Sequence, residues 1–358
     1  MKNKITVVCV ALFFAVLSLL AAFLPRAEYL KSERRRPAVF PEISYASISG
    51  GTFMSSFETY SQDNFPFREA FRTVKSFVNN YVLLRMENNG IYMDGGYISQ
   101  MLYPVERESL ERAADRFNSV YESYLSEANR VYFSLIPDKN KYLGSAPAAD
   151  YDGLEGEMAS LLPYMKHIKI SDLLSREDYY KTDTHWRQEK IGNVAERLAN
   201  EMGRELSFEY EVKELDVPFY GVYAGQWALP VKADRLFYLT NPIIDALWVY
   251  NYENDTRGGV YDMDAATGDD AYEMFLSGPI SLMKIDNLQA ERAGHLIIFR
   301  DSFGSSLAPL LAQCYERVTL IDIRYISPQY LSAFVDFSGA DVLFLYSSLV
   351  LANSETLK

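Results

Sequence analysis

The chain has 358 residues, of which 49% are hydrophobic and 23% are charged, and its formal net charge is −13. This composition excludes a disordered or collagen-like protein, and the length suits one large domain or two modest ones. The acidic balance repels phosphate backbones, so we expect no nucleic-acid partner. The two cysteines, Cys9 and Cys314, are too few for a disulfide framework or a cysteine-based zinc site.

The N-terminal segment predicts a membrane anchor. Residues 5–24 form an almost uninterrupted apolar run, and at ~1.5 Å per helical residue this run matches the thickness of a bilayer core. It is longer than the apolar region of a cleavable signal peptide and lacks a suitable cleavage site, so we favour an uncleaved single-span anchor over a cleaved signal. Residues 1–4 then form a short cytoplasmic end. The basic residues after the run favour the opposite orientation, so charge alone leaves the topology open.

A linker and the start of a large domain follow the anchor. Prolines and a Gly-Gly pair punctuate residues 25–50, which we interpret as the linker, and the large domain is predicted to occupy residues 51–350. A helical pattern runs through about residue 87. A second helix is predicted from about 106 to 126.

The remainder of the chain predicts an α/β fold. Apolar strands alternate with helices, which is typical of a parallel sheet covered on both faces. Between 207 and 290 the pattern changes to short aromatic strands with Gly and Asp turns, which we interpret as an insertion or an antiparallel subregion. The predicted strands are 130–136, 167–170, 295–299, 317–322 and 341–346, and the predicted helices are 188–202, 303–315 and 328–335.

Two short segments carry residue types suited to nucleophilic catalysis. Asp183 and His185 are two residues apart in an extended segment, so both point the same way and the carboxylate can orient the imidazole. Ser302 lies where a buried strand turns into a helix, a geometry that exposes a hydroxyl beside helix N–H groups. The alternatives are a surface Asp-x-His pair and an ordinary helix cap at Asp301-Ser302.

Four further residues are candidates for substrate binding. Arg324 and Tyr325 directly follow the strand after the Ser302 helix, and we expect them at the same sheet edge, with a salt bridge as the alternative for Arg324. Lys139 follows strand 130–136, where a surface ion pair is the alternative. Trp186, next to His185, completes the set. No nucleotide-binding loop or zinc-protease motif is present, so we predict no metal site and no cofactor.

These segments resemble a known family. Thr182-Asp-Thr-His-Trp186 and Leu296-Ile-Ile-Phe-Arg-Asp-Ser-Phe-Gly304, each followed by a helix, resemble the alginate O-acetyltransferase family and its relatives, the DHHW proteins. The resemblance spans roughly residues 40–350. Thr184 stands where DHHW proteins carry a second histidine, so this position is closer to the alginate pattern. Supporting matches are Asn64-Phe-Pro-Phe-Arg68, Phe219-Tyr-Gly221 and Ile321-Asp-Ile-Arg-Tyr325.

The resemblance implies an SGNH-hydrolase-like fold with permuted catalytic blocks, acting outside the cytoplasmic membrane. Ser302 is then the nucleophile, His185 the general base and acid, and Asp183 the residue that orients it. The implied reaction adds acetyl groups to hydroxyls of a cell-surface or exported polysaccharide, with a membrane-bound acyltransferase supplying the acetyl groups. Two alternatives stay open: a carbohydrate acetyl esterase with the same triad, and a non-catalytic envelope protein that binds glycan or a partner.

Overall fold

The computed structural model describes residues 2–290 and 294–358, and their contacts divide the chain into two units. The first unit comprises the chain up to Asn89 together with Ala224–Val231. The second comprises Gly90–Tyr223 and Lys232–Lys358. The contact division therefore falls later than residue 51, where the sequence analysis begins the large domain.

The first unit is helical. Within the described residues only its first helix is long and apolar enough to cross a membrane, a property that membrane anchors and signal sequences share. The helix predicted through about residue 87 is α-helical only to Phe77, and a π-helical turn, Val78–Val82, follows it; the turn contains two asparagines, which are weak helix formers. The α-helices are α1 (Lys2–Phe23), α2 (Tyr45–Ser49), α3 (Thr52–Asp63) and α4 (Arg68–Phe77).

The second unit is built, within the described residues, on an eight-stranded sheet with the order β4-β3-β12-β10-β11-β9-β7-β8. The first five strands in that order are parallel, and the last three run antiparallel to their neighbours. Strand pairs β1-β2 and β5-β6 form two further small sheets. The strands are β1 (Ile91–Asp94), β2 (Tyr97–Gln100), β3 (Arg130–Ile136), β4 (Lys166–His167), β5 (Glu211–Glu214), β6 (Phe237–Thr240), β7 (Trp248–Asn251), β8 (Thr256–Gly258), β9 (Leu282–Asp286), β10 (His295–Arg300), β11 (Arg317–Ile321) and β12 (Asp341–Ser347).

Helices cover both faces of this sheet, so the predicted α/β class with a mostly parallel sheet is confirmed. On one face the buried residues of α7 and α10 pack with Ile298 and Leu320, and on the other those of α5 and α6 pack with Phe299 and Phe344. The helix predicted at 328–335 is a 3₁₀ helix, Pro328–Ala333. The remaining α-helices are α5 (Arg107–Tyr124), α6 (Tyr151–Leu161), α7 (Gly192–Glu201), α8 (Val222–Trp227), α9 (Pro242–Asp245), α10 (Phe303–Leu311) and α11 (Ser348–Ala352).

Two details of the sheet differ from the predicted strands. The strand predicted at 167–170 pairs with β3 only at Lys166 and His167, so β4 is shorter than expected. The region predicted as an insertion or antiparallel subregion, 207–290, contributes β7, β8 and β9 to the main sheet itself. The sequence pattern indicated the change of strand direction but not that these strands extend the central sheet.

The parallel register determines where the loops meet. Arg300 at the end of β10 lies opposite Leu345 of β12, and Phe299 lies opposite Ile321 of β11. On the side of β12 that faces away from β10, strand β3 pairs with β12 in parallel. The loops that follow β3, β10 and β11 therefore start at the same edge of the sheet, which is where α/β proteins place their functional residues.

Phe117 provides a test of the packing between helix α5 and the central sheet. Its fully buried ring lies 5.0 Å from the ring centroids of both Phe344 and Tyr346. We expect Phe117→Ala to lower the free energy of unfolding by about 3–5 kcal/mol, because it removes the ring and leaves a cavity between α5 and the sheet. Arg116→Ala, at an exposed position of the same helix, should change it by no more than about 0.5 kcal/mol. Urea unfolding followed by fluorescence measures both.

Candidate active site

The structure brings Asp183, His185 and Ser302 together. His185 Nε2 lies 2.7 Å from Ser302 Oγ, and His185 Nδ1 lies 2.6 Å from Asp183 Oδ1. Asp183 is fully buried, His185 is 8% exposed and Ser302 is partly exposed. In this order the imidazole can take the hydroxyl proton while the carboxylate stabilises the imidazolium that forms.

Ser302 is held at the junction between β10 and α10 by the residue before it. Asp301 Oδ1 accepts the Phe303 N–H at 3.0 Å, and Asp301 Oδ2 accepts the N–H of Ser347, the last residue of β12, at 2.7 Å. The Gly304 N–H donates to the Asp301 carbonyl oxygen at 3.1 Å. One carboxylate thus fixes both the start of the helix and its position over the neighbouring strand.

Asp183 is fixed in the same way by backbone donors. Its Oδ1 also accepts the His185 N–H at 3.0 Å, and its Oδ2 accepts the Val222 N–H at 2.9 Å. Gly221 makes this approach possible, because a Cβ atom added there would lie 2.2 Å from the Asp183 Cβ. The sequence match Phe219-Tyr-Gly221 therefore lies against the triad, a contact that the sequence alone did not predict.

Asp234 supports the segment that precedes Asp183. Its Oδ2 accepts both the N–H and the hydroxyl of Thr182 at 2.7 Å, and its Oδ1 accepts the Lys181 N–H at 3.0 Å. The Thr182 Oγ1 in turn accepts the Gly221 N–H at 3.0 Å. Residues far apart in the chain thus hold one short extended segment. No local sequence pattern indicated that Asp234 would support the site.

Lys139 is a buried supporting residue rather than an exposed one. The side chain is 1% exposed, and its Nζ donates to the carbonyl oxygens of Tyr180 at 2.7 Å and Asp183 at 2.5 Å. Burial lowers the pKa of Lys139 to about 7, although nearby carboxylates, with Asp183 the largest contributor, act in the opposite direction. The structure corrects the predicted substrate-binding role, since the ammonium group already has backbone partners beneath the triad.

Trp186 also requires a correction. Its side chain is fully buried, and the indole N–H donates to the Phe303 carbonyl oxygen at 3.1 Å and to Ser306 Oγ at 2.9 Å. A side chain in this position presents no surface to a substrate. Trp186 instead joins the segment that carries His185 to the first turn of α10, where Ser302 lies.

Tyr272 is a site residue that the sequence did not indicate. Its ring stacks on the His185 imidazole with 3.8 Å between ring centroids and 6° between planes. The Tyr272 hydroxyl donates to Ser306 Oγ at 2.9 Å, which fixes the ring over the imidazole. Tyr272 lies in the aromatic region 207–290, where one tyrosine among many gives no signal of its own.

Arg324 and Tyr325 lie on the loop after β11, as expected. Arg324 forms a two-pronged ion pair with the buried Asp322, at 2.9 Å from Nε to Oδ1 and 2.6 Å from Nη2 to Oδ2. The salt-bridge alternative is therefore realised for Arg324. Tyr325 is 48% exposed, and the Arg324 guanidinium lies 5.4 Å from its ring centroid. Of the four candidate substrate-binding residues, Tyr325 offers the most surface to solvent.

Comparison with solved structures identifies proteins of the same fold. A DHHW family protein from Eubacterium siraeum DSM 15702 is 18% identical, covers 75% of this chain and 95% of its own length, and has a TM-score of 0.62. Bacillus cereus PatB1 carrying a sulfonyl adduct is 20% identical over 75% of this chain and 97% of its own, with a TM-score of 0.59. A second PatB1 structure is 19% identical and has a TM-score of 0.60.

These similarities confirm, for the fold, the resemblance to DHHW proteins. Neither a protein-family model nor a curated protein sequence matches the chain. The shared architecture accordingly rests on the three-dimensional comparison, and the chemistry has to be argued from the side chains of the site itself.

Lys139 makes stability depend on pH in a way that can be measured. In the unfolded chain it keeps its proton up to its ordinary pKa near 10.5, whereas the folded chain releases it near 7. Between these values the unfolded state binds more protons, so this residue's contribution to stability increases as the pH rises. A neutral amine still has two N–H groups for its two carbonyl partners. We therefore expect the free energy of unfolding of the wild type, relative to Lys139→Met, to increase between pH 7 and about pH 9.

The matched control is Lys181→Met, which changes an exposed lysine near the same segment. Its difference from the wild type should stay nearly constant over this pH range. If the difference for Lys139→Met were equally constant, the lowered pKa of Lys139 would be wrong.

Proposed function

We propose that this protein is a membrane-anchored O-acetyltransferase that modifies hydroxyls of a cell-surface or exported polysaccharide through an acyl-enzyme at Ser302. The observation that carries the proposal is the continuous chain of short contacts from Asp183 through His185 to Ser302. The shared fold with a DHHW family protein and the resemblance of both motif segments to alginate O-acetyltransferases support it.

In the first half of the proposed reaction, His185 Nε2 removes the proton from Ser302 Oγ as the oxygen attacks the acetyl carbonyl of the donor. A new C–O bond to Ser302 forms, and the bond to the donor's leaving group then breaks. The leaving group takes the proton from His185, and Asp183 stabilises the imidazolium in between. The product of this half is acetyl-Ser302.

The second half reverses these roles with a sugar as acceptor. His185 takes the proton of a sugar hydroxyl while the sugar oxygen attacks the acetyl carbonyl. The bond from the acetyl group to Ser302 Oγ then breaks, and Ser302 recovers the proton from His185. In both halves an oxyanion forms beside the start of α10. The Phe303 and Gly304 N–H groups are bonded to Asp301, so we assign the Ser302 N–H as an oxyanion donor.

The location and partners follow from the same proposal. Helix α1 serves as an uncleaved anchor, with residues 1–4 in the cytoplasm, residues 25–50 as a linker and the catalytic domain, predicted over residues 51–350, outside the membrane. A membrane-bound acyltransferase supplies the acetyl groups, and the polysaccharide accepts them. Tyr325 is the exposed aromatic residue that we assign to the sugar, because aromatic rings stack on sugar faces.

Labelling of Ser302 tests the proposal. The full chain in detergent is incubated with a chromogenic acetyl ester, and we expect turnover together with an acetyl adduct by intact mass. Ser302→Ala should lose both, and His185→Ala should lower turnover by about 10²–10⁴-fold, the usual value of general-base assistance. Ser305→Ala is the matched control, because this buried serine on the same helix bonds to Arg300 and not to His185.

Two outcomes separate the alternatives. If turnover and the acetyl adduct persist in Ser302→Ala, the serine mechanism is overturned. If the wild type is folded but shows neither turnover nor adduct, the result favours a non-catalytic glycan- or partner-binding protein. When an oligosaccharide acceptor is added, acetyl transfer supports the transferase. Hydrolysis at an unchanged rate supports the esterase with the same triad.

Gly221 gives a test of positioning. Gly221→Ala places a methyl group 2.2 Å from the Cβ, 2.3 Å from the Cα and 2.5 Å from the N atom of Asp183, so the segment that carries Asp183 and His185 has to shift. We expect about a 10²-fold loss of turnover on the acetyl ester, since displacements near 1 Å have effects of this size. Gly144→Ala is the control, because no atom beyond its immediate chain neighbours lies within 4 Å of the added methyl group. Equal activity of the two variants, with unchanged melting temperatures, would contradict the role of Gly221.

A further inference from the structure

Helix α4 exposes its apolar side. Apolar side chains recur at intervals of four, three and seven residues from the N-cap of α4 to the π-helical turn after it. They are Phe67 at the N-cap, Phe71 and Val74 within α4, and Tyr81 in the turn, and we call these four residues the outward face. They are 61%, 44%, 59% and 61% exposed, respectively. A contiguous apolar surface of this kind on a soluble helix is normally buried against a core.

The opposite side of the same helix is polar and packs inward. Ser76 is fully buried, and its hydroxyl donates to the Trp227 carbonyl oxygen at 2.6 Å. The Arg72 Nη2 donates to the Gly225 carbonyl oxygen at 2.9 Å. These contacts within the first unit fix which side of the helix faces outward. The apolar side is therefore directed to the surroundings by specific hydrogen bonds.

The outward face begins beside the end of α1. A cavity of about 430 Å³ is lined by Leu20 of α1, by Leu24 just after α1, and by Phe65 and Phe67 just before α4, together with charged residues that include Arg26 and Glu69. Leu20 belongs to the 18-residue apolar window of α1. If that window spans the hydrocarbon, its last turn marks the edge of the bilayer core, so Phe65 and Phe67 lie at that depth too.

The charges beside this junction suit lipid headgroups. Arg26, Lys31 and Arg36 are exposed basic residues in the segment that follows α1. The Arg26 guanidinium lies 5.1 Å from the ring centroid of Tyr60 on α3, which keeps it near the end of the anchor. Basic side chains at this level can pair with the phosphate groups of lipid headgroups, while apolar side chains enter the boundary between headgroups and acyl chains.

We infer that α4 lies on the membrane, with the outward face inserted into the headgroup and acyl-chain boundary of the leaflet where α1 ends. The inference rests on the proposed membrane anchor and adds a second membrane contact to it. The occupant of the outward face is the lipid bilayer itself. The contact would hold the first unit against the membrane surface in addition to the covalent link through the anchor.

Depth-dependent fluorescence quenching tests this arrangement in the full chain. Single cysteines are introduced at Val74 and, as the matched control, at the neighbouring exposed residue Thr73 of α4, in a Cys9→Ser, Cys314→Ser background. A third protein keeps only the native Cys9, which is exposed in α1. Each is labelled with bimane and reconstituted into vesicles of phosphatidylcholine and phosphatidylglycerol. The vesicles carry a nitroxide either high or low on the acyl chain.

The expected result is severalfold stronger quenching at Val74→Cys than at Thr73→Cys by the high nitroxide, with Cys9 quenched more by the low one. If Cys9 is quenched but Val74→Cys is quenched no more than Thr73→Cys, the inference is overturned while the anchor stays intact. Cys9 unquenched would overturn the anchor, and the inference with it. If Val74→Cys were shielded from aqueous iodide only in native membranes and not in vesicles, a membrane protein would cover the face, which would also overturn the inference.

Discussion

The position of Ser302, the proposed nucleophile, depends on the hydrogen bonds that the Asp301 carboxylate accepts. Its two oxygens accept N–H groups from the end of β12 and from the first turn of α10, so the strand edge and the helix start are tied to one buried group. A buried carboxylate is tolerated only where such donors satisfy it. The backbone at Ser302 is therefore held by the central sheet rather than by a free loop.

The other half of the site has a different kind of support. Asp183 and His185 belong to an extended segment outside the main sheet, and side-chain and backbone groups from several loops hold it: Lys139 beneath, Asp234 beside and Gly221 against it. The 2.7 Å contact between His185 and Ser302 thus joins two separately anchored pieces of chain. The Trp186 indole N–H links the same two pieces a second time, through its hydrogen bonds to Phe303 and Ser306 of α10.

The way the site is assembled explains which of its residues the sequence could predict. Asp183, His185 and Ser302 lie in short segments whose spacing and neighbouring elements indicate the chemistry locally. Tyr272 lies far along the chain from the histidine it covers, in a region without periodic pattern, so only the fold brings them together. Trp186 was wrongly predicted to bind substrate because it is next to His185 in the sequence. Successive side chains of an extended segment point to opposite sides, so the side chain of Trp186 points into the core. The strands could be located from apolar runs, but their order could not.

The surroundings of His185 bear on whether transfer or hydrolysis follows the proposed acyl-enzyme. Tyr272 covers one face of the imidazole, and the ring of Phe303 lies 4.9 Å away, so little of the ring meets solvent. The proposed triad would treat water and a sugar hydroxyl alike, since both present an O–H to the same Nε2. In the proposed transferase, preference for the sugar over water has to come from contacts to the acceptor, and Tyr325, exposed on the loop after β11, is the residue we propose for such a contact. A transferase and an esterase built on this fold would differ at such acceptor contacts and not in Asp183, His185 or Ser302.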